Sequence, residues 1–282
     1  MAGENILKRF ELGGQYMKLM QANGYSLIDL NLIEPFRQED KDYQPSSLVF
    51  ERDQRMYAVR SDWTRSLLNY SDTYFLEDRC FCYFGPVVRG TDSFYQAGVE
   101  LYWPTDQDLL SSIRLHLDFI KARLEETRGT RSNFEGDPDQ GQKLHAFIVN
   151  QDRLIDLYIQ KYNLDEKVRP LIYAKNLSQL RELLGPDQPL YKALSCRISD
   201  QYDLVQEEFA DSPEMEQIRQ LKDLAEGEEI KFMLDLSFRS PQAYYNALYF
   251  QVFLNYHTPL LSGGQYNEHA FGIAFNLEGG LL

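Results

Sequence analysis

The stretch that decides the fold reads RCFCYFGPVV (79–88), RGTDS (89–93), FYQAGVELYW (94–103). Both flanks are apolar and rich in aromatics, a composition that fits a pleated, half-buried surface. The segment between them carries Gly90, Thr91 and Asp92, so the two runs are predicted to pair as a β-hairpin. Residues four apart on a strand share a face, which puts Gln96 and Glu100 side by side. A carboxylate and an amide on one sheet face suit an α-ammonium group. Arg89, at the shoulder of the hairpin, suits a carboxylate or phosphate held bidentately. Taken singly, such a Gln-x-x-x-Glu pair is more often a solvated strand face.

Toward the N-terminus, Met56–Arg60 reads as a short strand and Ser61–Tyr70 as a turn entering a helix. Asn5–Asn23 is predicted helical from Ile6, Phe10, Met17 and Met20, with Gly24 as its stop. Ile28, Leu30 and Leu32 alternate with Asp29 and Asn31, the pattern of a half-buried strand running into Glu34-Pro35. Toward the C-terminus, Thr105 and Asp108 form a short-armed capping box. The helix it opens carries the stripe Leu109, Ile113, Leu117, Ile120 and Leu124, with His116 half-buried beside it. Thr127–Gln142 is polar and rich in Gly and Asp, a loop. A strand at His145–Val149 precedes helical patterns over Asp152–Tyr162 and again before Gly185-Pro186. Tyr202–Glu228 is acidic and helical, with the pattern of a solvated face. Strands at Ile230–Phe238 and Ala247–Leu254, a glycine turn at Ser262-Gly263-Gly264 and an apolar segment close the chain. Strands, a helical middle and strands again indicate an α+β fold: an antiparallel sheet flanked by helices, with a helical insertion over roughly 127–228.

Composition narrows the function. The chain has 282 residues, 43% of them hydrophobic, enough for a sizeable core. Its 29 Lys and Arg stand against 43 Asp and Glu, a formal charge of −14. A chain this acidic repels a polyanion at long range, and no dense Lys/Arg run offsets that, which weighs against tRNA binding. No apolar run approaches membrane-spanning length, and Met1–Met20 lacks the apolar core of a signal peptide. A cytoplasmic location is expected, with Cys80, Cys82 and Cys196 as reduced thiols. The histidines His116, His145, His257 and His269 are scattered, so neither a metal nor another cofactor is expected.

Four constellations join polar residues to strand-like surroundings. They are Val59-Arg60-Ser61-Asp62-Trp63-Thr64; Gly85 to Arg89 with Gln96 to Glu100; Tyr244 to Phe250; and Leu261 to Asn267 with Gly272 to Glu278 behind it. Together and in this order they resemble the catalytic core of histidyl-tRNA synthetase, a class II synthetase, over nearly the whole chain. Arg60–Thr64 is similar to that family's Arg-Pro-Glu/Asp-x-Thr segment. Val88-Arg89 resembles the start of motif 2 and Gln96–Glu100 its second strand. Tyr244-Tyr245-Asn246 resembles the histidine-specific Tyr-Tyr segment, Ser262–Asn267 the Gly-Gly-Arg-Tyr-Asp phrase, and Gly272–Glu278 motif 3. The first helix and the strand ending at Pro35 would be motif 1, the dimer-forming element.

The departures from that pattern bear on function. Where motif 3 ends in an arginine that stacks on adenine and holds ATP phosphate, this chain has Gly279. The motif 2 loop is cut to a minimum, with Thr91 in place of an acid. The Gly-Gly-Arg-Tyr-Asp arginine and aspartate are Gln265 and Asn267, and the arginine before the Tyr-Tyr pair survives at best as the displaced Arg239. Losing one donor to a developing phosphate charge costs on the order of 2.7–4 kcal/mol, so several losses leave no useful adenylation. The chain also ends after motif 3, without an anticodon-binding domain, so one domain spanning 1–282 is expected. Such a core resembles the regulatory subunits of ATP phosphoribosyltransferase, which share the Gln-Ala-Gly-Val-Glu phrase (96–100) and a Leu-Asp-Leu-Ser strand (234–237). That resemblance implies a non-catalytic partner of a short-form catalytic subunit in a hetero-octamer, needed for activity and for histidine feedback on the first step of histidine biosynthesis. Asp62, Thr64, Arg89, Gln96, Glu100, Tyr244 and Tyr245 would line a remnant amino-acid pocket. Two uses of it stay open: a histidine site, or bracing of the sheet with Arg89 paired to a carboxylate. The alternatives are a stand-alone amino-acid-activating enzyme, a nucleic-acid-binding module, and a binding subunit for a different partner.

Overall fold

The computed structural model describes residues 3–36, 47–71, 73–74, 76–131, 143–240, 242, 244–254, 259–267 and 269–276. The predicted hairpin is present as β5 (Cys80–Arg89) and β6 (Asp92–Tyr102), joined by Gly90-Thr91 alone. It sits inside an eight-stranded sheet ordered β1-β5-β6-β11-β10-β9-β7-β8. The other strands are β1 (Ser26–Leu27), β7 (Ala146–Gln151), β8 (Lys231–Leu234), β9 (Tyr245–Phe253), β10 (Pro259–Tyr266) and β11 (Ala270–Asn276). The expected antiparallel sheet is antiparallel through its centre, while β1 with β5 and β7 with β8 pair in parallel at its two edges. A separate small antiparallel sheet has the order β2 (Ile33–Pro35), β4 (Arg55–Val59), β3 (Val49–Arg52).

Strand alternation splits the large sheet into two unlike faces. Cys82, Val99, Leu101, Phe250, Phe271, Ile273 and Phe275 point one way into a single apolar core. The helices α1 (Gly3–Ala22), α2 (Trp63–Ser71) and α3 (Asp106–Arg131) come first in the chain, and α3 supplies Leu109, Ile113, Leu117, Ile120 and Leu124 to that core. Each such side chain contributes about 1.5–3 kcal/mol on burial. Thr105 and Asp108 form the expected reciprocal cap, with Thr105 N–H donating to Asp108 Oδ2 at 2.8 Å and Asp108 N–H to Thr105 Oγ1 at 3.2 Å. His116 is fully buried rather than half-buried. Its Nδ1 lies 2.7 Å from the Ser112 carbonyl, which can only accept, so Nε2 is left to accept from the Tyr16 hydroxyl at 2.8 Å. Burial lowers its pKa to about 4 and keeps it neutral.

Several sequence expectations are corrected. In α1 the buried stripe is Leu12, Tyr16 and Met20, whereas Ile6 and Phe10 are 43% and 51% exposed. Residues 28–32 are not a strand. Arg60 captures this segment, its N–H reaching Leu32 O at 2.8 Å and its Nη1 reaching Leu30 O at 2.9 Å, and carries it from the large sheet to the small one. Helix α3 runs through Thr127 to Arg131, where a loop was expected, and 132–142 lie outside the described residues. Gly263 and Gly264 lie inside β10, not in a turn. A Cβ on Gly264 would sit 2.4 Å from Leu248 O and 2.8 Å from the Tyr245 ring, so glycine here serves close approach. Strand β8 stops at Leu234 because Asp235 Oδ1 accepts from Ser237 N–H at 2.9 Å and forms a side-chain turn.

The helical region also differs in detail. β7 lies within the expected insertion of roughly 127–228, so the unbroken helical run covers 152–227. It comprises α4 (Asp152–Tyr162), α5 (Val168–Tyr173), α6 (Leu177–Leu184), α7 (Pro189–Ser195), α8 (Gln201–Phe209) and α9 (Pro213–Gly227). The acidic stretch 202–228 is more than a solvated face. Val205 of α8 and Met215, Ile218, Leu221, Leu224 and Ala225 of α9 are buried in the core, and only the opposite sides of these helices carry the charge.

Candidate functional site

The second face of the sheet is apolar toward β5, where Phe81 and Val87 pack on Trp63 and Leu67 of α2, and polar over its middle. Along it lie Tyr83 of β5, Gln96 and Glu100 of β6, Tyr245 and Gln251 of β9, Ser262 and Tyr266 of β10 and Gly272 of β11. A cavity of about 170 Å³ opens here. Asp62, Thr64, Arg89, Gln96, Tyr244 and Tyr245, drawn from four separate parts of the sequence, all line it. Among the described residues that line it, Asp62 is the anion and Arg89 the cation.

Asp62 ends the link from β4 and caps α2, its Oδ1 accepting from Arg65 N–H at 3.2 Å. Its Oδ2 is 3.5 Å from Arg89 Nη2, and Arg89 Nε donates to Ser61 O at 2.9 Å. Tyr244 also hydrogen-bonds Asp62. Arg89 is thus paired to a carboxylate, yet its guanidinium stays about a third exposed, with donors left toward the cavity. The link itself is held by Arg60, whose Nε and Nη2 both reach Pro86 O at 3.1 Å while its guanidinium stacks 3.5 Å over Trp63. Burial lowers the Arg60 pKa to about 10.

Glu100 is the predicted site residue that lies apart from the cavity lining. It is fully buried beneath the cavity floor. Thr64 and Tyr266 hydroxyls donate to it at 2.6 Å each, and Tyr83 OH lies at 3.4 Å. Burial raises its pKa to about 8, against the lowering effect of these donors, so a proton is held there at neutral pH. Gly272, opposite Glu100 in the register, leaves the room it needs: a Cβ there would meet Oε2 at 2.4 Å.

Sequence reading missed Ser240, Gln242, Tyr249, Gln251 and Ser262 as lining residues, and Tyr83 as a partner of Glu100. Alternation along β9 was the available signal for Tyr249 and Gln251. Gln265, whose change from arginine was counted among the chemical losses, faces away from the cavity and accepts Leu248 N–H at 3.3 Å. Arg239 is exposed, 4.6 Å over the Tyr173 ring of α5, and does not line the cavity. Gly279 lies outside the described residues. Asp62 and Gln96 present acceptor oxygens to the cavity and Arg89 presents donors. The two-residue turn after Arg89 supplies no loop to cover a triphosphate.

Comparison with known proteins fits this geometry. The regulatory subunit of ATP phosphoribosyltransferase from Staphylococcus aureus (strain MRSA252) is 23% identical, the match covering 97% of this chain and 98% of that one. The relative from strain Newman is 22% identical over the same shares. Among solved structures, the ATP phosphoribosyl transferase (HisG:HisZ) complex from Thermotoga maritima contains a chain matched with a TM-score of 0.70 at 17% identity, over 97% of this chain and 99% of that one. Histidyl-tRNA synthetase from Nostoc sp. PCC 7120 matches with a TM-score of 0.66 at 17% identity, over 97% of this chain and 70% of that one. These structural likenesses establish the class II synthetase fold. The sequence model of the family described as histidyl-tRNA synthetase matches residues 4–130 and 145–278, nearly the full length. The chain belongs to the histidyl-tRNA synthetase family.

Proposed function

We propose that this chain is the regulatory subunit of an ATP phosphoribosyltransferase and performs no chemistry of its own. The observation that carries the reading is the cavity at Asp62 and Arg89: it complements an amino-acid head group and has one arginine among its described lining residues, where adenylation would need several cations. Relatives that bear the regulatory-subunit name match from end to end. On this reading the chain docks onto the short-form catalytic subunit in a hetero-octamer in the cytoplasm and confers histidine feedback on it. The chain is a single synthetase-like domain, with α4–α9 as its helical insertion.

Histidine is the proposed occupant of the cavity. It acts by binding the active and inactive arrangements of the complex with different affinity, since a ligand shifts an equilibrium only by that difference. Self-association uses the N-terminal element. Ile6, Leu7 and Phe10 on α1 and Leu27, Leu32 and Ile33 beyond it are exposed apolar side chains that fit a second copy. The test is reconstitution: a short-form catalytic subunit is assayed alone, with this chain, and with this chain plus histidine. Activity rises on mixing and falls with histidine, and Asp62→Asn blunts the histidine response while the stimulation survives. No gain on mixing defeats the proposal.

A further inference from the structure

A second concave site lies where β6, β10 and β11 meet the first turn of α4. It encloses about 290 Å³ and shares no lining residue with the cavity at Asp62. Its chemistry is specific. Trp103 stands 61% exposed at the end of β6, with φ at 52°. That left-handed conformation is a true outlier for a bulky side chain and costs on the order of 1–3 kcal/mol. It is held by Trp103 N–H donating to His269 O at 2.6 Å, and the two rings lie 21° from parallel with centroids 6.1 Å apart. Asn267, across the groove, is also left-handed at 50°. Asn adopts that conformation readily, so the strain is at Trp103, the residue whose indole is presented to water.

Pro104 and Ala270 complete the apolar part of the lining, and the remaining groups are polar. Gln265 and Asn267 offer amides, and Arg153 brings an exposed guanidinium from α4. No ion pair engages Arg153 among the described residues. An aromatic platform is a stacking surface for any nucleobase. Amides pair with base edges, and an unpaired arginine suits a phosphate through its planar fork of donors. The volume is at the small end of the range for ligand sites.

The geometry points to a nucleotide site in this groove, with the base stacked on Trp103, its edge on Gln265 and Asn267, and the phosphate on Arg153. The site stands apart from the amino-acid cavity and does not depend on the regulatory reading. Only an aromatic ring and an anion joined in one molecule use all of these groups, which separates a nucleotide from either half alone.

The two tryptophans make the test direct, since Trp63 is buried and Trp103 is the exposed one. The full chain is titrated with adenosine 5′-monophosphate while tryptophan emission is followed, with adenosine and inorganic phosphate as separate arms. Saturable quenching by the nucleotide is expected, stronger than by adenosine and absent with phosphate. Trp103→Phe abolishes it, and Arg153→Gln weakens nucleotide binding about tenfold while leaving adenosine unchanged. Both side chains are exposed, and thermal melts confirm that the variants fold. The proposal is overturned by an absent or unsaturable quench, by a quench that survives Trp103→Phe, or by nucleotide binding no tighter than adenosine.

Discussion

The two faces of the large sheet come from alternate residues of the same strands, yet they are built by opposite rules. On the helix side, Val99, Leu101, Phe250, Phe271 and Ile273 meet apolar helices, and stability there scales with filled volume. On the cavity side, Glu100 and Tyr266 are equally sheltered but polar, with Gln96 and the half-buried Tyr245 beside them, and stability depends on each group finding its partner. The titrating groups are opposed as well. His116, in the helix layer, is buried neutral by losing a proton, and Glu100, under the cavity, is buried neutral by keeping one. One face is packed with apolar side chains throughout, while the other joins a small apolar cluster at Phe81 and Val87 to buried polar groups.

That contrast can be broken in several ways. Phe250→Ala, which empties space between Phe147 and Phe271, should cost about 3–5 kcal/mol in denaturant unfolding. Ser262→Ala on the cavity side should cost well under ~1 kcal/mol. Equal losses would mean that both faces are packed alike.

The pH dependence follows from the same opposition. Glu100 has its pKa raised from 4.5 to about 8, so its contribution is complete below 4.5 and is lost as pH climbs through about 8. His116 has its pKa lowered from 6.5 to about 4, so its contribution is present above 6.5 and is lost as pH falls through about 4. Each slope is at most about 1.4 kcal/mol per pH unit. Between 4.5 and 6.5 the two slopes oppose each other, and above 6.5 the Glu100 slope alone remains. Glu100→Gln should leave melting temperature rising with pH over the lower window. His116→Gln should leave it falling. A Glu100→Gln profile identical to the parent would contradict the buried, protonated carboxyl.

Smaller effects sharpen the picture. Tyr266→Phe removes one of the 2.6 Å donors to Glu100 and should cost about 1–3 kcal/mol, because an acceptor is left unsatisfied. Leu7→Ser, at a side chain 74% exposed, should change unfolding of the isolated monomer by no more than ~0.5 kcal/mol. It should nonetheless weaken self-association in sedimentation. An unchanged dimer would remove α1 from the interface.

The helix face was the legible one. The stripe Leu109 to Leu124 follows from periodicity and the 105–108 cap from its Thr and Asp three residues apart, and both are present. The β5–β6 hairpin was legible from its turn residues, and the convergence of Asp62, Thr64, Arg89, Gln96, Tyr244 and Tyr245 from family resemblance. What escaped depends on long-range pairing. Tyr266 reaches Glu100 across 166 residues, and no local pattern marks that meeting. The paired glycines 263 and 264 look like a turn until the ring of Tyr245 and the carbonyl of Leu248 are seen against them. The α1 stripe was misassigned because its outer face, with Ile6 and Phe10, is as apolar as its inner one.

ATP–pyrophosphate exchange by the isolated chain, with histidine present, probes the cavity most directly. With Arg89 the one cation among the described lining residues and a two-residue turn beside it, the exchange should stay at background, while calorimetry should register histidine binding. Histidine-dependent exchange above background, abolished by Arg89→Gln, would show a working adenylation site and contradict a purely regulatory role.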